Sequence, residues 1–168
     1  MKTIISYLFP LFVVSLLFTS CQKDNIVGPD DDDVPVVESF FSCKFNGEAF
    51  TSTGLLAYGV RPDDSTDDHY GIYGTSSLDA TETVMYIQVR KDLGVGTHEL
   101  EPDVVYSLVS LSDGSSWTTE LGDASGTVTI LEKTANRVKG TFQFTITSFD
   151  DYETLMEVSE GEFNVELR

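Results

Sequence analysis

The side chains with most chemistry in this sequence are two histidines, two cysteines and a large surplus of carboxylates. His98-Glu99 begins like a zinc-protease motif, but that motif needs a second histidine four residues after the first, on a helix. Pro102 stands there instead, and Gly96-Thr97 reads as the start of a strand. His69 follows Asp67 and Asp68. A site of two histidines and a carboxylate would need the fold to bring His69 and His98 together. The plainer expectation is a solvated loop for His69 and a half-buried strand for His98. Asp63, Ser65 and Asp67 copy the opening of a calcium loop, whose sixth position should be glycine and twelfth glutamate. Here those positions hold Asp68 and Gly74, so an EF-hand is excluded and only an ad hoc calcium site remains, set against a solvated loop. No other metal and no cofactor is expected.

Nucleophilic catalysis finds little support. A Gly-x-Ser-x-Gly elbow is absent, and so is a glycine-rich phosphate loop. A hydrolase using paired carboxylates stands as the third reading, but 28 acids put some pair together in any fold. Trp117, with Tyr70, Tyr73 and Tyr106, could offer rings for ligand stacking. The same rings suit a core, and packing is the preferred reading.

Cys21 has a clearer role. Lys2 precedes an apolar run, Ile4 to Phe18, which Pro10 interrupts and which ends in Thr19-Ser20-Cys21. The run is shorter than the ~20 residues that span a bilayer and has the layout of a secretory signal. Its end resembles a bacterial lipobox, with Phe18 where an aliphatic residue is commoner. Residues 1–20 are therefore read as a lipoprotein signal peptide and Cys21 as the lipidation site, with several acyl chains giving firm membrane attachment. Beyond it, Gly28-Pro29-Asp30-Asp31-Asp32-Asp33-Val34-Pro35 cannot build a core, because its like charges repel and extend it. Residues 21–38 form the lipidated cysteine and an acidic tether, and 39–168 a single domain.

The net charge of −18 makes nucleic acid an improbable partner. With Cys21 lipidated, only Cys43 is left, so packing alone must hold the domain. Cys43 shares a side with Phe41 and Phe45 and reads as a small buried hydrophobe.

The elements that must position any site are strands. Val138, Phe142, Phe144 and Ile146 alternate with Lys139, Thr141, Gln143, Thr145 and Thr147, the period of a half-buried strand. Gly140 sits on the apolar face, where a bulge or a close approach needs it. Ser125–Glu132 pairs with this strand as a hairpin, and Phe163, Val165 and Leu167 mark a last inward face in 161–168. Asn46-Gly47 is a two-residue hairpin turn between strands at 39–45 and 50–60. Further strands are expected at 69–76, 83–91, 97–100, 104–111 and 116–121, with 148–153 a loop. About nine short strands and little helix imply an all-β fold, an antiparallel sandwich or barrel.

These pieces together resemble a family of small Bacteroidota lipoproteins of unknown function. The resemblance is carried by the lipobox, by Phe41-Ser42-Cys43-Lys44-Phe45-Asn46-Gly47-Glu48-Ala49-Phe50, by Gly96-Thr97-His98-Glu99-Leu100, and by Gly140-Thr141-Phe142-Gln143-Phe144 and Gly161-Glu162-Phe163. It covers 39–168 and implies a fold and a compartment, with no catalytic residue. His98 departs from it, since an aromatic is usual there. Gln22-Lys23-Asp24-Asn25 resembles, in part, the signal that sends such lipoproteins to the outer face of the outer membrane. Asp64-Ser65-Thr66 resembles the O-glycosylation sequon of Bacteroidota secreted proteins and would place a glycan on Ser65. The expected function is a noncatalytic, lipid-anchored envelope domain at the cell surface, a binding or structural module for a glycan, a peptide or another envelope protein. The alternative is a small-ligand carrier with a barrel cavity.

Overall fold

Asn46 and Gly47 both adopt positive φ, 48° and 86°, as a two-residue hairpin turn of the primed type requires. They reverse β1 (Phe40–Phe45) into β2 (Glu48–Thr53). The computed structural model describes residues 38–62, 68–77, 82–101 and 103–168. Cys21, Asp63, Ser65 and Asp67, the expected lipid, calcium and glycan positions, lie outside the described residues.

The single return strand expected at 50–60 is two strands. Gly54, at φ 60°, opens a 3-10 turn over Gly54–Leu56, and the chain leaves it as β3 (Ala57–Val60) on another wall. Then follow β4 (His69–Thr75), β5 (Val84–Arg90), β6 (Gly96–Glu99), β7 (Val105–Ser110), β8 (Ser116–Thr118), β9 (Ser125–Lys133), β10 (Arg137–Ser148) and β11 (Leu155–Glu166). The last strand begins earlier than its Gly161-Glu162-Phe163 motif. The loop before it is a tight turn, in which Ser148 N–H donates to Thr154 O at 2.9 Å and Asp151 Oδ1 accepts from the N–H of Glu153 and Thr154.

All strand pairs are antiparallel, in the order β2-β1-β11-β10-β8-β7-β5-β4-β3, with β9 also on β10 and β6 on β9. One end of this path, β3, comes back to the residues that follow β11. Gly59 of β3 bridges Leu167, Arg168 N–H donates to Gly59 O at 2.9 Å, and Arg61 N–H donates to Arg168 O at 3.1 Å. The fold is thus all-β and a nearly closed barrel of eleven strands.

Alternation sets the inside. Met85, Ile87 and Val89, the even positions 138–146 of β10, and Phe163, Val165 and Leu167 all face a common apolar core. Cys43 lies there too, its Sγ 3.9 Å from Met85 Sδ, and burial pushes its thiol up to about 12. Thiolate chemistry is closed to it at neutral pH.

The glycines inside β10 and β11 have a shared purpose. Gly140 pairs with Phe163, and Phe142 with Gly161. A Cβ on Gly140 would lie 2.5 Å from the Phe163 ring, and one on Gly161 2.5 Å from the Phe142 ring. Each strand gives up a side chain where the other places a ring. A bulge between Phe142 and Phe144 then bends the pair. Phe41 of β1 packs directly on Gly74 of β4, where a Cβ would lie 2.6 Å from its ring. That Cβ would also lie 3.0 Å from the Cβ of Phe41, so β1 and β4 approach closely at that level.

Candidate functional site

Strands β6 to β9 are one long hairpin, opened in the middle. Glu99 pairs with Thr127, and Leu100 N–H still donates to Gly126 O at 3.0 Å. Pairing resumes at Ser107, whose N–H donates to Thr119 Oγ1 at 2.7 Å and whose carbonyl accepts from Thr119 N–H at 3.0 Å, and continues with Leu108 opposite Thr118. Between these pairs both strands advance by the same number of residues, so the register is the same above and below. Among the described residues, no backbone hydrogen bond joins 101–106 to 120–125. The two strands part and meet again, leaving an eye.

Each side of the eye is held from outside. Val105 and Tyr106 remain paired with Val89 and Gln88 of β5, and Ser125 with Thr145 of β10. On one side, Glu101 O accepts from the N–H of Val104 and Val105, and Asp103 adopts φ 65°. On the other, Gly122 adopts φ 61° and lies against Thr147, whose Oγ1 would be 2.9 Å from a Cβ there. These two turns keep the strands apart.

The eye holds a crevice of about 540 Å³, lined by Leu100, Val105, Leu121, Tyr106 and the acids Glu101, Asp103 and Glu120, among others. This is the size of a small-ligand pocket. Burial raises the Tyr106 phenol above its ordinary value; a hydrogen bond with Thr118 works against this and the Glu120 charge adds to it. The phenol therefore stays protonated and can donate. Tyr106 also ends a row of rings on the outer face. Tyr58 and Tyr73 stack at 4.9 Å, Tyr73 and Tyr86 at 4.6 Å, and Tyr86 meets Tyr106 edge-on at 6.1 Å.

Two polar atoms at the border of the eye are buried with no hydrogen-bond partner, Ser107 Oγ and Thr147 Oγ1, and Trp117 Nε1 is a third on the same hairpin. A buried polar atom left unpaired costs about 1–3 kcal/mol; Glu82 Oε2, outside this hairpin, is another.

The residues singled out in the sequence lie apart. His69 Nε2 is 3.0 Å from Asp103 O and His98 Nε2 is 2.9 Å from Gly94 O, so each imidazole is engaged by a different loop carbonyl. No group of three or more potential metal ligands occurs among the described residues. Tyr73 and Tyr106 belong to the outer row, whereas Trp117 and Tyr70 pack against the core, Tyr70 beneath Lys133 Nζ at 4.5 Å. Asp68, Asp92, Asp113 and Asp151 are all held below the ordinary carboxyl value, each first by a side-chain hydrogen bond, from Lys91, Arg90, Ser115 and Thr154. That is the wrong direction for a general acid. Of the residues lining the eye, sequence reasoning had marked only Tyr106. The signal in the sequence is a pair of turn-like triplets inside strand pattern, Glu101-Pro102-Asp103 and Leu121-Gly122-Asp123.

Other grooves lie elsewhere on the surface, two of them along β9, β10 and β11. One of about 500 Å³ lies between Thr127, Thr141, Gln143 and Glu162, and one of about 320 Å³ by Ser125, Thr145 and Glu157. A model of a family described as "Domain of unknown function (DUF6252)" matches residues 38–165. No curated protein and no solved structure matches the chain.

Proposed function

The chain belongs to that family of unknown function, and on this premise we propose that it is a noncatalytic, lipid-anchored domain of the bacterial cell envelope that seats a ligand in the eye of its β6–β9 hairpin. The observation that carries the reading is the crevice of 540 Å³ opened within a hairpin whose register does not change. A strand pair that keeps its register has every reason to keep its hydrogen bonds; giving them up for a walled crevice favours a binding role. Glycan, peptide and envelope protein are the partner classes it would serve.

The anchor and the compartment rest on the sequence. Phe18-Thr19-Ser20-Cys21 supports lipidation at Cys21, and the acidic tether supports a domain held off the membrane. Similarity to Bacteroidota lipoproteins supports display on the outer membrane. The carrier reading draws less support, because the interior is filled by packed side chains, with Phe41 seated directly on Gly74.

A photoreactive residue placed at Ala124, inside the eye, should crosslink to an envelope component on living cells. The same residue at Lys139, on the exposed outer face of β10, should not. Equal crosslinking from both positions would sink the eye as the seat. Cys21→Ala should release the protein from the membrane fraction, and retention there would sink the anchor.

A further inference from the structure

We propose that the eye takes an alkylammonium group, the positively charged end of a short aliphatic chain. The inference rests on the eye being a ligand seat and deepens that reading. Three observations carry it. First, Glu101, Asp103 and Glu120 line the crevice and, among the described residues, no lysine, arginine or histidine does. Arg90 is near enough to feel Glu101, but its Nε donates to Asp92 Oδ1 at 2.6 Å. Second, these carboxylates do not converge, since among the described residues no three potential ligands could hold a metal ion. A bare cation needs oxygens closing on one point, whereas an organic cation several atoms long is matched by acids spread around a crevice of 540 Å³. Third, the remaining walls are Leu100, Val105 and Leu121, with the Tyr106 ring among them. Aliphatic carbons gain by leaving water for such walls, and an ammonium gains from an aromatic face.

The buried Thr147 Oγ1 lies on the far side of Gly122 and Ser107 Oγ beside the pair that closes the eye, both without partners. The chain's charge of −18 adds a long-range attraction for any cation. The alkylammonium could belong to a lysine side chain or to a free amine.

The test is a titration of the 15N-labelled protein with hexylammonium, hexanol and hexanoate at fixed ionic strength. Hexylammonium should move the amides of Glu101, Val105, Tyr106, Glu120 and Gly122, with hexanol and hexanoate weaker by about tenfold or more. The double substitution Glu101→Gln with Glu120→Gln should weaken hexylammonium by roughly fivefold or more while leaving hexanol unchanged and the fold intact. Equal binding of hexanol and hexylammonium in the eye would overturn the cation claim and leave the seat standing. Shifts confined to the Thr141–Glu162 groove, or none from any probe, would overturn both. A Gly-Lys-Gly peptide with blocked ends that binds more tightly than hexylammonium points to lysine as the source, and the reverse order to a free amine.

Discussion

The β10–β11 seam and the β6–β9 hairpin each bend an antiparallel pair, and they do so in opposite ways. The seam adds a residue. Its register slips between Phe142 and Phe144, and Gly140 and Gly161 admit the opposing rings, so the bend is filled. The hairpin adds nothing. Its register is the same on both sides of the eye, and among the described residues only the hydrogen bonds between 101–106 and 120–125 are missing. A bulge changes which residues face the core, so the sequence must be written for it. An eye leaves every facing unchanged and changes only what lies between the strands. The first makes a core, the second a space.

The widest separation between the two regions should appear in thiol chemistry. Cys43 lies in the closed core with its thiol pushed up to about 12 from an ordinary 9.0, which lowers its thiolate near pH 8 by roughly a thousandfold. Ala124→Cys, in the eye, should react with iodoacetamide at about the free-thiol rate while Cys43 stays unmodified. Comparable rates would break the comparison. The sign for stability follows from the same shift. The fold favours the protonated thiol, so its contribution is whole below the ordinary value of 9.0 and is lost as the pH rises through about 12.

Next in size is Phe142→Ala, which removes a ring that touches Phe41, Phe144 and Phe163. Denaturant unfolding should show a loss of about 3–5 kcal/mol. Gly161→Ala should cost about 1–3 kcal/mol by overpacking the same ring, and a wild-type midpoint would mean that the glycine has another purpose. At the eye the expected sign reverses. Thr147→Val removes a buried hydroxyl without a partner, so stability should hold or rise by up to about 1 kcal/mol. A loss of similar size would show that the hydroxyl is satisfied.

The smallest effect is that of acid. Asp68, Asp92, Asp113 and Asp151 all titrate below their ordinary 3.8 and are fully exposed. Lowered carboxyls favour the fold above that value and lose their contribution as the pH falls through it. The unfolding midpoint should dip only slightly below about pH 4. Salt should remove the part due to Asp68–Lys91 and Asp92–Arg90 and spare the part due to the Asp113–Ser115 and Asp151–Thr154 bonds.

This contrast also explains what the sequence made legible. The alternation of Val138, Phe142, Phe144 and Ile146, the gap at Gly140 and the Asn46-Gly47 turn are local, and each stands in the structure as read. The break at Gly54 was passed over because Phe50 to Val60 keeps a strand-like composition across it. The eye was illegible for a different reason. Its flanking strands were expected, but that they form one hairpin in one register depends on pairing between 96–110 and 116–130, which no short window contains. Trp117 was read as packing, and it packs against the core. Sandwich and barrel share one alternation, and only the return of β3 to Leu167 separates them.

That return, and the pairing of β1 with β11, have a consequence in time. Phe40 meets Asn164 and Gly59 meets Leu167, partners separated by most of the domain. β1 can pair with β2 and β3 with β4 from neighbours, but the other edge of each must wait for β11 and Leu167. Folding that turns on such distant contacts is slow, on the order of milliseconds to seconds for barrels of this kind. Until β11 docks, the β1 and β3 edges stand open, and the protein's exposure to aggregation is set by how soon that one strand arrives.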